Sequence, residues 1–219
     1  MDRVDVCRLP DGPVLVAVFD YKSAARSPSA ARLEHGFELQ LLAYLAFAGE
    51  SAELRRLISP GVAQPPGLRP AGAFYVPLAP KVEADVRAAT EEDLARNYLD
   101  SLTHVGRGDR EWMAQFDSVA TDSKQRSRQF KPRQLLPGDE FREQLERTVG
   151  FLKAHAGAIL NGAVSVEPMR YGAQETACDY CPFRPLCRFE PLRGGFRSLP
   201  LAPRRAAEVY GDPASEAAN

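Results

Sequence analysis

The chain has 219 residues, 44% of them hydrophobic and 26% charged, with a formal net charge of −1. That length and composition belong to a water-soluble globular chain of one ordinary domain, or one with a tail, and exclude a fibrous or wholly disordered protein. The near-neutral balance excludes a global electrostatic pull toward nucleic acid, so any such affinity must come from a local patch.

The N-terminal stretch MDRVDVCRLP lacks the apolar centre of a secretion signal. No apolar run reaches the roughly 18 residues of a membrane helix. A cytoplasmic, reducing setting is expected, in which clustered cysteines hold metal more readily than they form disulfides. Asp2–Leu9 alternates as a strand from the second residue onward. A domain rarely begins inside its core sheet, so the chain reads as the C-terminal piece of something longer.

Pro10-Asp11-Gly12 predicts a three-residue hairpin loop, a type I turn with glycine in the left-handed position. With that loop Leu9 faces Pro13, Val4 faces Val18 and Asp2 faces Asp20, while Asp5 faces Ala17 on the other side. A loop one residue shorter would undo this pairing. Pro13–Lys22, PVLVAVFDYK, reads as a buried strand ending in an acid and a base. Asp20 and Lys22 are two residues apart and share a face. This D-x-K pair is either a strand-end salt bridge or part of a catalytic site.

Ser23–Arg32 is small and polar, a loop. Gly36–Gly49 reads as a helix, with Leu41, Tyr44, Leu45 and Ala48 at helical spacing and Gln40 and Tyr44 on one face. Taken alone, Gln40 reads as a solvated helix residue and Tyr44 as packing. A Pro- and Gly-rich connection, Ser59–Pro70, leads to a strand at Gly72–Leu78, whose Pro77 marks an end or an edge. Glu91–Leu102 reads as helical. Arg107–Arg133 is charged and weakly periodic, with Trp112 and Phe116 as packing anchors. Within it, Lys124–Arg133 carries five Lys or Arg residues plus Phe130. It is either a solvated loop or a phosphate-contacting patch. Asp139–Leu160 is the clearest helix, capped by Asp139, with a core stripe of Phe141, Leu145, Val149, Leu152 and Ile159. A short extended piece runs on to Met169. Beyond Pro191 the chain is rich in Arg, Pro, Ala and Gly, and a mobile tail is expected.

Three of the four cysteines, Cys178, Cys181 and Cys187, fall within CDYCPFRPLC. Two thiolates three residues apart can grip one metal or cluster. Zinc and an iron–sulfur cluster both suit the spacing, and both need four ligands. Cys7, the remaining cysteine, points away from the Asp20 face in the register above and reads as a small buried strand residue.

DRVD, a strand ending DYKS, a helix with LQLLAYL, then GAFY and CDYCPFRPLCRF follow in this order over most of residues 2–190. Together they resemble the nuclease domain of the AddB subunit of bacterial AddAB helicase-nucleases. That group lies in the PD-(D/E)XK superfamily, with the RecB nuclease and the CRISPR adaptation nucleases. The resemblance implies a restriction-endonuclease-like α/β core, a small mixed sheet flanked by helices, plus a C-terminal cysteine-ligated segment. Residues 1–190 would be the nuclease domain, lacking its N-terminal part, and 191–219 the tail. The resemblance further implies that Asp2, Asp20 and Lys22 form the catalytic acid–lysine set, that Gln40 and Tyr44 are its Q-x-x-x-Y helix motif, and that Cys178, Cys181 and Cys187 bind a 4Fe–4S cluster. In that family the fourth ligand lies upstream, so none is identified in this chain. A metal-binding histidine is also expected upstream; His35, His104 and His155 sit in the wrong places to replace it.

On this reading the chain is a Mg²⁺-dependent deoxyribonuclease of exonuclease type, acting on DNA with an AddA-type helicase subunit in double-strand-break repair. Asp2 and Asp20 supply hard oxygen ligands, with the Tyr21 carbonyl as a further donor. Lys22 orients or deprotonates the attacking water, and Gln40 hydrogen-bonds that water or Lys22. The cysteine-bound cluster is a staple without redox work. The competing expectations are a stand-alone RecB-like or CRISPR adaptation nuclease and a non-catalytic DNA-binding or scaffolding module.

Overall fold

β-Strands β1 (Arg3–Arg8) and β2 (Val14–Lys22) form an antiparallel hairpin. Val4 lies opposite Val18, Asp5 opposite Ala17 and Cys7 opposite Leu15, the register expected from the turn. The Gly12 amide donates to the Leu9 carbonyl at 3.4 Å and closes the loop; Asp11 lies outside the described residues. The computed structural model describes residues 1–10, 12–23, 29–79, 90–92, 95, 98, 102–116, 130, 134–171, 175–190 and 195–198.

The hairpin opens a five-stranded mixed sheet completed by β3 (Leu68–Pro77), β4 (Val105–Asp109) and β5 (Leu135–Leu136), in the order β1-β2-β3-β4-β5. β3 runs parallel to β2, β4 antiparallel to β3, and β5 parallel to β4. β3 begins at Leu68, earlier than its apolar pattern suggests, because it follows β2 from Val14 onward. Between Val16 and Ala17 the β2–β3 register shifts by one, leaving Ala71 as an extra residue of β3. β4 has almost no strand signature; its glycines are imposed by its neighbour.

Val14–Asp20 is buried throughout because both faces of β2 are covered, which explains its unbroken apolar run. One face meets helix α2 (Gln40–Glu50), through Leu41, Leu42, Leu45 and Ala48, where Gly49 lies close over Pro70. The other carries Leu15, Ala17, Phe19, Ala71, Phe74, Met113, Phe130 and Leu135. Cys7, Trp112 and Phe116 pack against this second cluster. Cys7 is therefore on the sheet face away from Asp20, and the two aromatics are packing anchors, as expected. His104 stacks there between Phe19 and Phe130, at 5.6 and 5.3 Å. Burial pushes its imidazole below the ordinary range, and the Arg3 charge adds to the effect.

The chain divides into two compact units, Met1–Pro28 with Leu39–Val149, and Ser29–Glu38 with Gly150–Asn219. Helix α1 (Ala30–Glu34) arises where a loop was expected, because the Ser29 hydroxyl caps the Arg32 amide at 3.4 Å. The helix expected from Gly36 begins only at Gln40. Glu38 adopts φ 55°, off the helical path, with its carboxylate held by the Ser29 amide at 2.8 Å and by Arg32 at 2.9 Å. After α2 come α3 (Ala52–Ile58), α4 (Arg110–Met113) and α5 (Gly138–Leu160).

The apolar stripe of α5 is core only in its first half. Phe141 is buried and Leu145 and Val149 half-buried, but Leu152 is 37% and Ile159 73% exposed. In the second unit α5 uses a different face: Phe151 packs against Gly36, and His155 bonds the Gly36 carbonyl at 3.2 Å. Gly36 has φ +79°, and a Cβ there would lie 2.8 Å from the Phe151 ring, so only glycine fits. Strand β6 (Met169–Arg170), helix α6 (Arg184–Cys187) and strand β7 (Arg197–Ser198) complete the described chain, β7 pairing with β6. Most of the expected helix 91–102 and of the tail 191–219 lies outside the described residues. No helix among the described residues is long and apolar enough to cross a membrane.

Candidate active site

Asp20 lies two residues before the end of β2 and is 4% exposed, on the face covered by α2. A carboxylate so deep in an apolar layer needs cationic partners. It has two. The Lys22 ammonium pairs with Oδ2, and the Met1 ammonium lies 3.2 Å from Oδ1. Burial pushes the Asp20 carboxyl up, but these two cations outweigh it and hold the group below its usual range. Strand alternation brings Lys22 to this side, so the pair is a consequence of D-x-K at the end of a strand.

Asp2 stands just beyond the last ladder pair, Arg3 with Phe19. Its amide donates to the Phe19 carbonyl at 3.2 Å, and its carboxylate accepts the Tyr21 amide at 2.8 Å. The chain peels from β2 here, and the Asp2 side chain ends the ladder where a backbone carbonyl would otherwise do so. Asp2 thus sits at the same end of the same hairpin as Asp20. One of its oxygens is engaged by the backbone, and it is the Met1 ammonium that lies against the Asp20 carboxylate.

Gln40 opens α2, and its amide donates to the Tyr44 hydroxyl at 2.8 Å. Tyr44 in turn bonds the Met1 ammonium, and the Gln40 bond followed by that ammonium lowers its phenol from the ordinary value. The helical spacing of four that puts both on one face also aims that face at the end of β2. Gln40, Tyr44, Met1, Asp20 and Lys22 form one continuous polar chain. The structure therefore gathers the sequence-selected Asp20, Lys22, Gln40 and Tyr44, with Asp2 and Tyr21 at its border. Gln40 meets Tyr44 rather than Lys22.

Tyr75 was not singled out by the sequence. It lies directly beside Asp20 on β3, is 5% exposed, and has the Lys22 ammonium 5.2 Å from its ring centroid. The signal was present in GAFY, but only the irregularity at Ala71 brings residue 75, and not 74, alongside Asp20.

The three cysteines of the C-terminal segment line one cavity of about 260 Å³ with Thr176, Asp179, Arg184, Phe189 and Phe196. All are free thiols. Among the described residues no group of three or more His, Cys, Asp or Glu side chains is drawn together closely enough to hold a metal ion. His104 lies on the opposite face of the sheet from Asp20, and His155 is engaged by the Gly36 carbonyl. Of the basic stretch 124–133 only Phe130 is described, and it is core, 4.6 Å from the Phe74 ring.

A mixed sheet flanked by helices, with an acid and a lysine at the end of its second strand, defines a restriction-endonuclease-like α/β fold. The chain belongs to the PD-(D/E)XK nuclease superfamily, which it matches over residues 1–188. It is similar to three proteins that carry the name of the AddB subunit of an ATP-dependent helicase/deoxyribonuclease. That of Symbiobacterium thermophilum is 33% identical over 211 residues, covering 91% of this chain and 17% of the relative. That of Moorella thermoacetica is 32% identical over 211 residues, covering 91% and 18%. That of Desulfitobacterium hafniense strain DCB-2 is 28% identical over 230 residues, covering 92% and 18%. The resemblance to AddB-type nuclease domains is thus borne out, and the chain spans less than a fifth of the length of these relatives.

Proposed function

We propose that this chain is the Mg²⁺-dependent nuclease domain of a helicase–nuclease of double-strand-break repair, an exonuclease-type deoxyribonuclease that acts on DNA in the cytoplasm beside an AddA-type helicase subunit. The observation that carries the reading is the buried Asp20–Lys22 pair, closed on its helix side by Gln40 and Tyr44. Residues 1–190 are the nuclease portion of the proposal and 191–219 a tail.

The donor chemistry at this end of the hairpin suits a divalent cation. Asp20 already draws two positive groups, and Asp2 keeps a second carboxylate oxygen beside the one given to Tyr21. These two carboxylates, with the Tyr21 carbonyl, are hard oxygen donors of the kind Mg²⁺ takes. A bound ion supplies polarisation of the phosphate and a more acidic water. The chain's own groups do the rest. Lys22 places a positive charge beside the point where the phosphate gains negative charge. Gln40 fixes the Tyr44 hydroxyl, whose phenol faces the Asp20 side of the site. On linear duplex DNA the chain is expected to cut with Mg²⁺ or Mn²⁺ and not in EDTA. Cutting that persists undiminished in the chelator sinks this reading and leaves a metal-free mechanism; no cutting under any condition favours the non-catalytic binding module.

The second element of the proposal is a 4Fe–4S cluster held by Cys178, Cys181 and Cys187. Support comes from three thiols facing one cavity walled by Phe189 and Phe196. Its role is to fasten the C-terminal segment, with no electron transfer in the reaction. Chain purified without oxygen is expected to absorb in the visible range and to contain iron and sulfide, both lost in Cys181→Ser. Equal iron content in the two proteins would remove the cluster.

A further inference from the structure

We propose that Tyr75 is a positioning residue of the cutting centre, holding the Lys22 ammonium over its ring so that the lysine stays on Asp20. The inference rests on the reading of Asp20 and Lys22 as that centre. Lys22 is the last residue of β2, where the chain leaves the sheet. A lysine at a strand end has a flexible stem and gains nothing by itself from staying in one rotamer. Two contacts fix this one. The Asp20 carboxylate binds the ammonium from the neighbouring position of the same face, and the Tyr75 ring presents its electron-rich face at 5.2 Å.

The ring is itself immobile. Tyr75 is 5% exposed and sits within the central strand β3, paired in parallel register with Asp20. That placement is produced by the register shift at Val16/Ala17. Without the extra residue at Ala71, Phe74 would lie beside Asp20 and Tyr75 would turn to the opposite face. A bulge that re-aims one side chain is a recurrent device beside functional sites. Here Phe74 instead enters the second core cluster, against Phe19 at 6.0 Å and Phe130 at 4.6 Å. The single irregularity therefore sorts two adjacent aromatics, one to the core and one to the lysine.

The test uses the full chain with Mg²⁺ on linear DNA, with four replacements. Tyr75→Leu is expected to lower kcat about tenfold with KM unchanged. Tyr75→Phe, which keeps the ring, is expected to restore most of the rate. Pentafluorophenylalanine at position 75 keeps the ring's size, inverts its charge distribution, and is expected to behave like Tyr75→Leu. That variant decides the matter if Tyr75→Leu does not fold. An independent readout is NMR of the Lys22 ε-methylene: its signal is expected to be ring-current shifted in the wild type and in Tyr75→Phe, and unshifted in Tyr75→Leu. Equal kcat for the phenylalanine and pentafluorophenylalanine variants, or an unshifted Lys22 signal in the wild type, overturns the proposal. The fourth replacement, Lys22→Met, separates the two readings. If it cuts like the wild type, the assignment of the centre falls; if it is inactive while pentafluorophenylalanine is harmless, only the role of Tyr75 falls.

Discussion

Asp20→Asn is expected to lower the rate of DNA cutting by about a thousandfold while the chain stays folded. The substitution keeps side-chain volume in a position that is 4% exposed, so no cavity opens. What it removes is charge. Asp20 is the carboxylate on which Lys22 and the Met1 ammonium both converge, and it is the anchor proposed for the divalent ion. Loss of that anchor removes several kcal/mol of transition-state stabilisation, and each ~1.4 kcal/mol is a factor of ten. The effect on stability is smaller, about 1–2 kcal/mol. The two ammonium groups left behind are 23% and 32% exposed and can turn to water. The pH dependence has a definite sign. The Asp20 carboxyl is held below its ordinary value of 3.8, so the ion pair contributes at neutral pH and is lost only as pH falls below that value. Asp20→Asn should abolish this acid limb. Initial rates on linear DNA and thermal melting against pH check both parts; cutting at the wild-type rate would show that the centre lies elsewhere.

Gly106→Ala is expected to be the most damaging single methyl in the sheet, costing about 3 kcal/mol or more. A Cβ at this position would lie 1.9 Å from the Ala73 carbonyl oxygen and 2.7 Å from the Phe74 Cα. Both are backbone atoms of the adjacent central strand and cannot swing aside as a side chain can. Relief requires β4 to move off β3, which breaks the ladder from Gly72–Gly108 to Tyr75–Val105. It also disturbs Tyr75 and the site next to it. Gly150→Ala is the matched control, since nothing lies within 4 Å of its added methyl and it sits inside α5. There the change should be neutral or stabilising by up to about 1 kcal/mol. Chemical denaturation of the two variants gives the comparison. Equal midpoints would mean that β3 and β4 are not paired in the register described.

The sheet's first hairpin was legible because its signals agree. A turn tripeptide fixes the register, alternation fixes the faces, and a run of apolar residues marks a strand covered on both sides. α2 and α5 were legible from their period, though their ends were not. The start of α2 is set by Glu38, whose carboxylate is held by Ser29 and Arg32. Those contacts join residues six and nine apart through side-chain chemistry that no periodicity expresses. The second half of the α5 stripe misled for a related reason. Apolar spacing says that a face exists, and only the neighbours decide which face is covered; at Gly36 that neighbour is met by Phe151. β4 was illegible because its strand character is borrowed. Val105–Asp109 contains two glycines and two charged residues, and it is a strand only because β3 offers it hydrogen bonds.

The chemistry of the site was set by local spacing in the chain. An acid and a lysine two apart on a strand must share a side, and a glutamine and a tyrosine four apart on a helix must do so as well. The tertiary structure decided where those sides meet, by laying α2 over the end of β2. It also decided that Tyr75 completes the site, because a one-residue shift between two parallel strands is a property of their pairing and leaves no mark in the order of the residues.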